Sequence, residues 1–166
     1  PIMLNYYGAH TGRFSGGDKM NLQNLPRGGT LRKALRAPEG KVLIACDSAQ
    51  IEARTLAWLA GQEDLVQAFE NKEDVYCIMA SAIYGREITK ADKTERQVGK
   101  TVILGAGYGV GHVKLRAFLK LAAGVDYTES QAKAIIDTYR NKYYKIPELW
   151  RKANDSLTAM SFGNSM

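Results

Sequence analysis

The 166-residue chain has only two cysteines, two histidines and four prolines. Cys46 and Cys77 are too few for the disulfide framework of a small secreted domain. Together with His10 and His112 they show no zinc-ligand spacing. No serine or cysteine stands in a recognisable nucleophile setting. No run of about 18 apolar residues occurs, so a membrane-spanning helix is not expected. Pro1–Thr11 is polar and aromatic, unlike the apolar centre of a secretory leader. The expectation is a soluble, reducing, cytoplasmic setting. What is present is a composition 45% hydrophobic and 24% charged, enough apolar surface to exclude a disordered chain. Lys and Arg number 23 against 17 Asp and Glu, and the resulting charge of +6 points toward a polyanionic partner.

The first forty residues are glycine-punctuated, with Gly8, Gly12, Gly16, Gly17, Gly28, Gly29 and Gly40. They hold Arg13, Asn21, Gln23, Asn24 and Arg27 but few acids, a composition suited either to a solvated loop or to donating hydrogen bonds to phosphates and base edges. Short strands are expected within Ile2–Tyr7 and Arg13–Ser15. The apolar run Val42–Ala45, after Pro38-Glu39-Gly40, predicts a buried strand over Lys41–Cys46 that ends on Asp47. Ile51, Leu56, Leu59 and Ala60 then recur at helical spacing up to Gly61. Further helices are expected over Leu65–Asn71, Val75–Tyr84, Asp92–Leu104, Val113–Ala123, Thr128–Tyr144 and Pro147–Ala159, with Thr128 and Gln131 forming a capping box.

Asp47, between strand and helix, has two readings. It caps the helix, or it serves as a Mg²⁺ ligand beside phosphate groups. Glu52, five residues on, could answer the helix dipole, with Gln50 and Arg54 adding to a polar helix start. Lys93, Arg96 and Lys100 lie three and four residues apart and share a helix face, which Leu104 continues. Like charges at that spacing repel, and a triphosphate would reverse the sign. Gly99-Lys100-Thr101 resembles the end of a phosphate-binding loop, but Thr94 stands where that motif needs glycine. Gly105-Ala106-Gly107 fails the dinucleotide fingerprint at Val110. These glycines suit close approach of a helix to a flat ligand, or a sharp turn. Tyr108 is a core aromatic or a ring offered to a nucleobase.

In order, these segments resemble family A DNA polymerases, the DNA polymerase I group. Thr11-Gly12-Arg13 with Asn21–Pro26 is similar to the family's primer-template segment. Asp47–Arg54 is similar to its first palm motif, and Arg96, Lys100, Gly105, Tyr108 and Gly109 fit its fingers motif. The wording of Tyr6–Pro26 and Glu52–Gly61 is most similar to bacteriophage versions, which would place the protein in a bacterial host cell. The resemblance implies an α+β chain: a helical fingers region over 62–166, attached to part of an antiparallel β palm over 1–61. It implies template-directed nucleotidyl transfer from dNTPs to a primed DNA by a monomer. Two Mg²⁺ ions, with Mn²⁺ as substitute, are held by Asp47 and the Ser48 carbonyl. Arg96 and Lys100 hold the triphosphate, and Lys100 protonates the pyrophosphate. Glu52 and Gln50 line the sugar pocket, with Leu104, Tyr108 and Tyr76 also facing the nucleotide. Arg13, Asn21, Gln23, Asn24 and Arg54 contact the duplex.

Three departures qualify the likeness. Leu104 stands where the family often has an aromatic residue, and Tyr76 where histidine is common. No His-Asp pair follows Ser48, since His112 precedes Val113. The family's second metal carboxylate is thus absent, and a palm and fingers fragment, weak or inactive alone, is expected. Two alternatives remain at this level: a non-catalytic nucleic-acid-binding module of the same fold, and a metabolic nucleotide-binding protein, which the failed loop spacings disfavour.

Overall fold

A computed structural model describes residues 3–18, 21, 24–26 and 29–163. The chain is mostly helical with a small antiparallel sheet, in keeping with an α+β class. It divides into two compact units, Pro1–Asp47 and Ser48–Met166. The break falls ahead of the first long helix rather than at residue 61.

In the first unit, β1 (Leu4–Asn5) pairs with β2 (Ser15–Gly16), Leu4 opposite Gly16 and Asn5 opposite Ser15. Tyr6 and Phe14 meet edge to face at 5.0 Å across the connecting turn. A single helical turn, α1 (Thr30–Lys33), follows. The buried strand expected over Lys41–Cys46 does not form: the segment has no regular structure, and Val42, Leu43 and Ile44 are 82%, 70% and 85% exposed. A strand is held by a neighbouring ladder, and no described residue pairs with this run.

The second unit contains α2 (Ile51–Ala60), α3 (Glu63–Glu70), α4 (Val75–Tyr84), α5 (Lys93–Gly107), α6 (His112–Ala123), α7 (Glu129–Lys142) and α8 (Lys145–Ser161). Their boundaries follow local signals. Asp74 caps α4 by accepting from the backbone N–H groups of Tyr76 and Cys77. Gly85 ends α4 at φ 65°, a left-handed conformation that favours glycine. Thr128 and Gln131 form the expected reciprocal capping box on α7. Helix α5 runs one turn beyond the expected end, so Gly105 and Gly107 are helical.

Helix α5 is the hub. It packs against α4, α6, α7 and α2, while α8 lies on α2. Val98, Val102, Ile103 and Ala106 of α5 join Val75 and Met79 of α4, Leu115 and Leu119 of α6, and Ile135, Ile136 and Tyr139 of α7 in one core. Gln62 is a polar group within this unit and only 4% exposed. Its side-chain carbonyl accepts from the Lys145 backbone N–H at 2.9 Å, and its amide donates to Asp64 at 2.6 Å. One side chain thus caps α8 from 83 residues away. Among the described residues, no helix is long and apolar enough to cross a membrane.

Replacing Gln62 by Leu keeps the volume but leaves the Lys145 N–H buried without its acceptor. The expected cost is about 1–3 kcal/mol in denaturant-induced unfolding, and an unchanged midpoint would remove this cap from the account.

Candidate functional site

Within the first unit, a polar cleft of about 640 Å³ is lined by Arg13, Asn21, Asn24, Phe14 and Asp47. Three of the residues singled out as duplex contacts therefore sit with the candidate metal carboxylate. Gln23 lies outside the described residues. Asp47 is exposed, and among the described residues no group of three or more His, Cys, Asp or Glu side chains could enclose a metal ion. A single open carboxylate still suits Mg²⁺, which is commonly held by one or two carboxylates together with substrate phosphates and water.

In the second unit, the chemistry gathers on α4 and α5. Arg96 Nε donates to Asp74 Oδ2 at 2.8 Å. The guanidinium carbon lies 5.3 Å from the Tyr76 ring centre, and Lys100 Nζ lies 6.0 Å from it. Two cations thus share one aromatic ring, an attraction that partly offsets their mutual repulsion. The Arg96 Nη groups and Lys100 Nζ have no carboxylate partner among the described residues. Lys93, at the exposed start of α5, makes no such contact. Burial pushes the Asp74 carboxyl up, but Arg96 and the N–H groups of Cys77 and Tyr76 outweigh it and hold the group below the usual carboxylate range. The same pairing holds the Arg96 guanidinium above its ordinary value. The pair therefore contributes stability above pH 3.8, the ordinary Asp value, and loses it as pH falls through the lowered one. Asp74 was not singled out from sequence. Its position immediately before Val75 was the available local signal, that of a helix cap.

The close approach of α4 and α5 depends on Gly99. A Cβ there would overlap the Tyr76 carbonyl oxygen and come within 3.0 Å of the Ala80 backbone nitrogen. Both are main-chain atoms and cannot swing aside. Gly105 and Gly107 are ordinary contacts by comparison, with added Cβ atoms at 3.6 Å from Leu115 and 3.4 Å from Leu56. These glycines serve packing between helices, not a phosphate cradle.

A cleft of about 200 Å³ between α2 and α5 brings together Glu52, Leu104 and Tyr108, with Leu56 and Ile103 behind them. Leu104 and Tyr108 also border a wider apolar groove of about 550 Å³, with Lys100 at its edge and Phe118 and Leu121 of α6 opposite. Tyr108 is 67% exposed at the end of α5, so its ring is available rather than part of the core. Gln50 does not line the smaller cleft. It precedes α2 with φ 57°, a left-handed conformation uncommon for a residue other than glycine. Arg54 is committed internally: Nε donates to the Ala49 carbonyl at 3.0 Å, Nη1 to the Phe69 carbonyl at 3.4 Å, and the guanidinium stacks 4.6 Å from the Phe69 ring. It fastens α2 to α3, a different use from the duplex contact that the family resemblance implies.

Comparison with known proteins decides the family. The family model for DNA polymerase family A matches residues 3–165. The chain belongs to DNA polymerase family A. It is similar to DNA polymerase I of Chloroflexus aurantiacus, 36% identical over 157 residues, which covers 92% of this chain and 16% of the relative. It is also similar to the thermostable DNA polymerase I of Thermus filiformis, 37% identical over 147 residues, covering 86% of this chain and 17% of the relative. The thermostable enzyme of Thermus aquaticus is 35% identical over the same length. The family A chain thus spans about one-sixth of the length of these curated relatives. All three are bacterial, and none carries the bacteriophage likeness expected from the wording of the sequence.

The Gly99 contact can be tested by one added methyl group. Gly99→Ala is expected to lower stability by about 1–3 kcal/mol, although alanine is otherwise the better helix former. Gly105→Ala, with room for its Cβ, is expected to be neutral or slightly stabilising. Thermal unfolding of both variants checks the contrast, and equal melting temperatures would remove Gly99 from its place in the packing.

Proposed function

We propose that the chain is part of a DNA-directed DNA polymerase, contributing its fingers and some of its palm. The observation that carries this reading is the pair Arg96 and Lys100 on one α5 face beside Tyr76: their Nη groups and Nζ meet no carboxylate among the described residues. Cations held together with donor groups still open suit a triphosphate, with the Arg96 Nη groups forming a fork and Lys100 a point charge. Membership of family A and the names of the relatives support DNA as the polymer.

In this reading the primer 3′-hydroxyl gives up its proton to water and its oxygen attacks the α-phosphorus of a dNTP. The bond from that phosphorus to the bridging oxygen breaks, and pyrophosphate leaves. Arg96 and Lys100 hold the triphosphate, and Lys100 supplies the proton to the departing pyrophosphate. Asp47 and the Ser48 carbonyl would hold Mg²⁺ or Mn²⁺ in a two-metal arrangement, with phosphates, water and a second carboxylate completing the set. The bound ions supply charge neutralisation around the reacting phosphate. Glu52, Leu104 and Tyr108 form the wall met by the sugar and base, with Gln50 near the start of α2. Tyr76 supports both cations from beneath. Arg13, Asn21, Gln23 and Asn24 contact the primer-template, where minor-groove acceptors test the shape of a pair more than its sequence. A monomer acting in the cytoplasm, in a bacterium or on behalf of a phage, fits the same reading.

Two experiments on the whole polymerase test it. Asp47→Asn is expected to abolish primer extension with dNTPs and Mg²⁺ while leaving duplex binding intact. Retained extension would overturn the role of Asp47, and absence of extension in the unmodified protein would favour a non-catalytic binding module. Leu104→Tyr adds a ring and a hydroxyl to the sugar wall and is expected to raise dideoxynucleotide use relative to dNTPs. Equal use by both proteins in competition assays would show that position 104 does not set this preference.

A further inference from the structure

We infer that Asp74 is the positioning residue for the triphosphate-binding arginine, an inference that rests on the polymerase reading of Arg96. Its two carboxylate oxygens have divided duties. Oδ1 accepts from the Tyr76 and Cys77 backbone N–H groups at 3.2 and 3.3 Å, capping α4. Oδ2 accepts from Arg96 Nε at 2.8 Å. One side chain therefore fixes the start of the helix bearing Tyr76 and the orientation of a guanidinium 22 residues away.

The choice of nitrogen matters. A guanidinium presents donors along two edges, one made by Nε and one Nη, the other by the two Nη groups. Occupying Nε directs the pair of Nη groups away from Asp74 as a free fork for phosphate oxygens. A carboxylate on both Nη groups would instead consume that fork. The Asp74 side chain is 15% exposed and that of Arg96 33%, so the bond is partly shielded from water while the arginine remains reachable. The Tyr76 ring on the other flank restricts the remaining freedom of the guanidinium. Asp74 thus preorganises Arg96, lowering the ordering cost of triphosphate binding.

Asp74→Ser separates the two duties, because serine is a good helix cap but cannot also reach Arg96. In the whole polymerase this variant is expected to fold with a lowered melting temperature, because it keeps the α4 cap but loses the Asp74–Arg96 bond. KM for dNTPs should rise roughly tenfold, with a smaller change in kcat, as lost charge-assisted hydrogen bonding predicts. Asp74→Asn, closer in shape, should show the same KM effect. The rise should largely vanish in an Arg96→Ala background, where there is no guanidinium left to position. An unchanged KM, or a rise of the same size in the Arg96→Ala background, would overturn the inference. Inorganic tripolyphosphate affinity provides a readout independent of synthesis. If the unmodified protein extends no primer yet binds tripolyphosphate through Arg96, the polymerase reading falls, and a weaker affinity in Asp74→Ser still supports the positioning role. Equal affinity in the two proteins would sink the positioning role.

Discussion

Helices α4 and α5 touch through bare backbone. At Gly99 no side chain separates them, and the Tyr76 carbonyl occupies the space where a Cβ would be. Everything distinctive about the second unit is organised around that contact. Arg96 lies one turn before Gly99 and Lys100 immediately after it, so both cations reach over the same neighbouring ring. The energetic support comes from the apolar seam below, where Val98 and Val102 meet Val75 and Met79 with no exposed surface. Burial of that kind, at roughly 25 cal/mol per Å², exceeds the few tenths of a kcal/mol by which neighbouring like charges on a helix repel. The core can therefore hold an electrostatically unfavourable arrangement ready for an anion.

The same helix shows how one element serves packing and chemistry without mixing them. Gly105 and Gly107 thin the end of α5 where α6 and α2 approach. Leu104 and Tyr108, between and beyond them, stay on open clefts. Gly107 lines the smaller cleft and Gly105 the wider one, so a bulkier residue at either would take up part of that space.

Local signals in the sequence accounted for the helices well. Apolar spacing and the stop at Gly85 located α4, and the Thr128–Gln131 capping box located the start of α7, almost to the residue. Non-local facts were not legible. The run Val42–Ile44 has the composition of a buried strand, yet strand formation depends on a pairing partner that composition does not name. Arg54 is matched to a duplex contact only through the family resemblance. Its guanidinium instead closes the joint between α2 and α3, through carbonyls that no pattern of side chains reveals. Within the candidate site, the cation stripe and Tyr108 could be read from spacing, and Asp74 could be read only as a cap. Its second bond, to Arg96, exists because tertiary packing brings the two helices together.

That bond also constrains how the site can move. Under the proposed polymerase reading, α5 has two ways to swing toward a nucleotide. Rotation of α5 alone would break the Asp74–Arg96 bond and open the Gly99 contact, exposing the Val98 and Val102 seam. Motion of α4 and α5 as one body keeps all three and places the strain in the connections on either side. The second is the cheaper course, because losing a partly buried charged hydrogen bond alone costs about 1.5–3 kcal/mol before any apolar exposure is counted. Asp74 sits at the junction between the Asn71–Glu73 turn and α4, at the boundary such a paired motion would use. The residue that orients the arginine is thus also one that keeps its helix and the aromatic beneath it moving together.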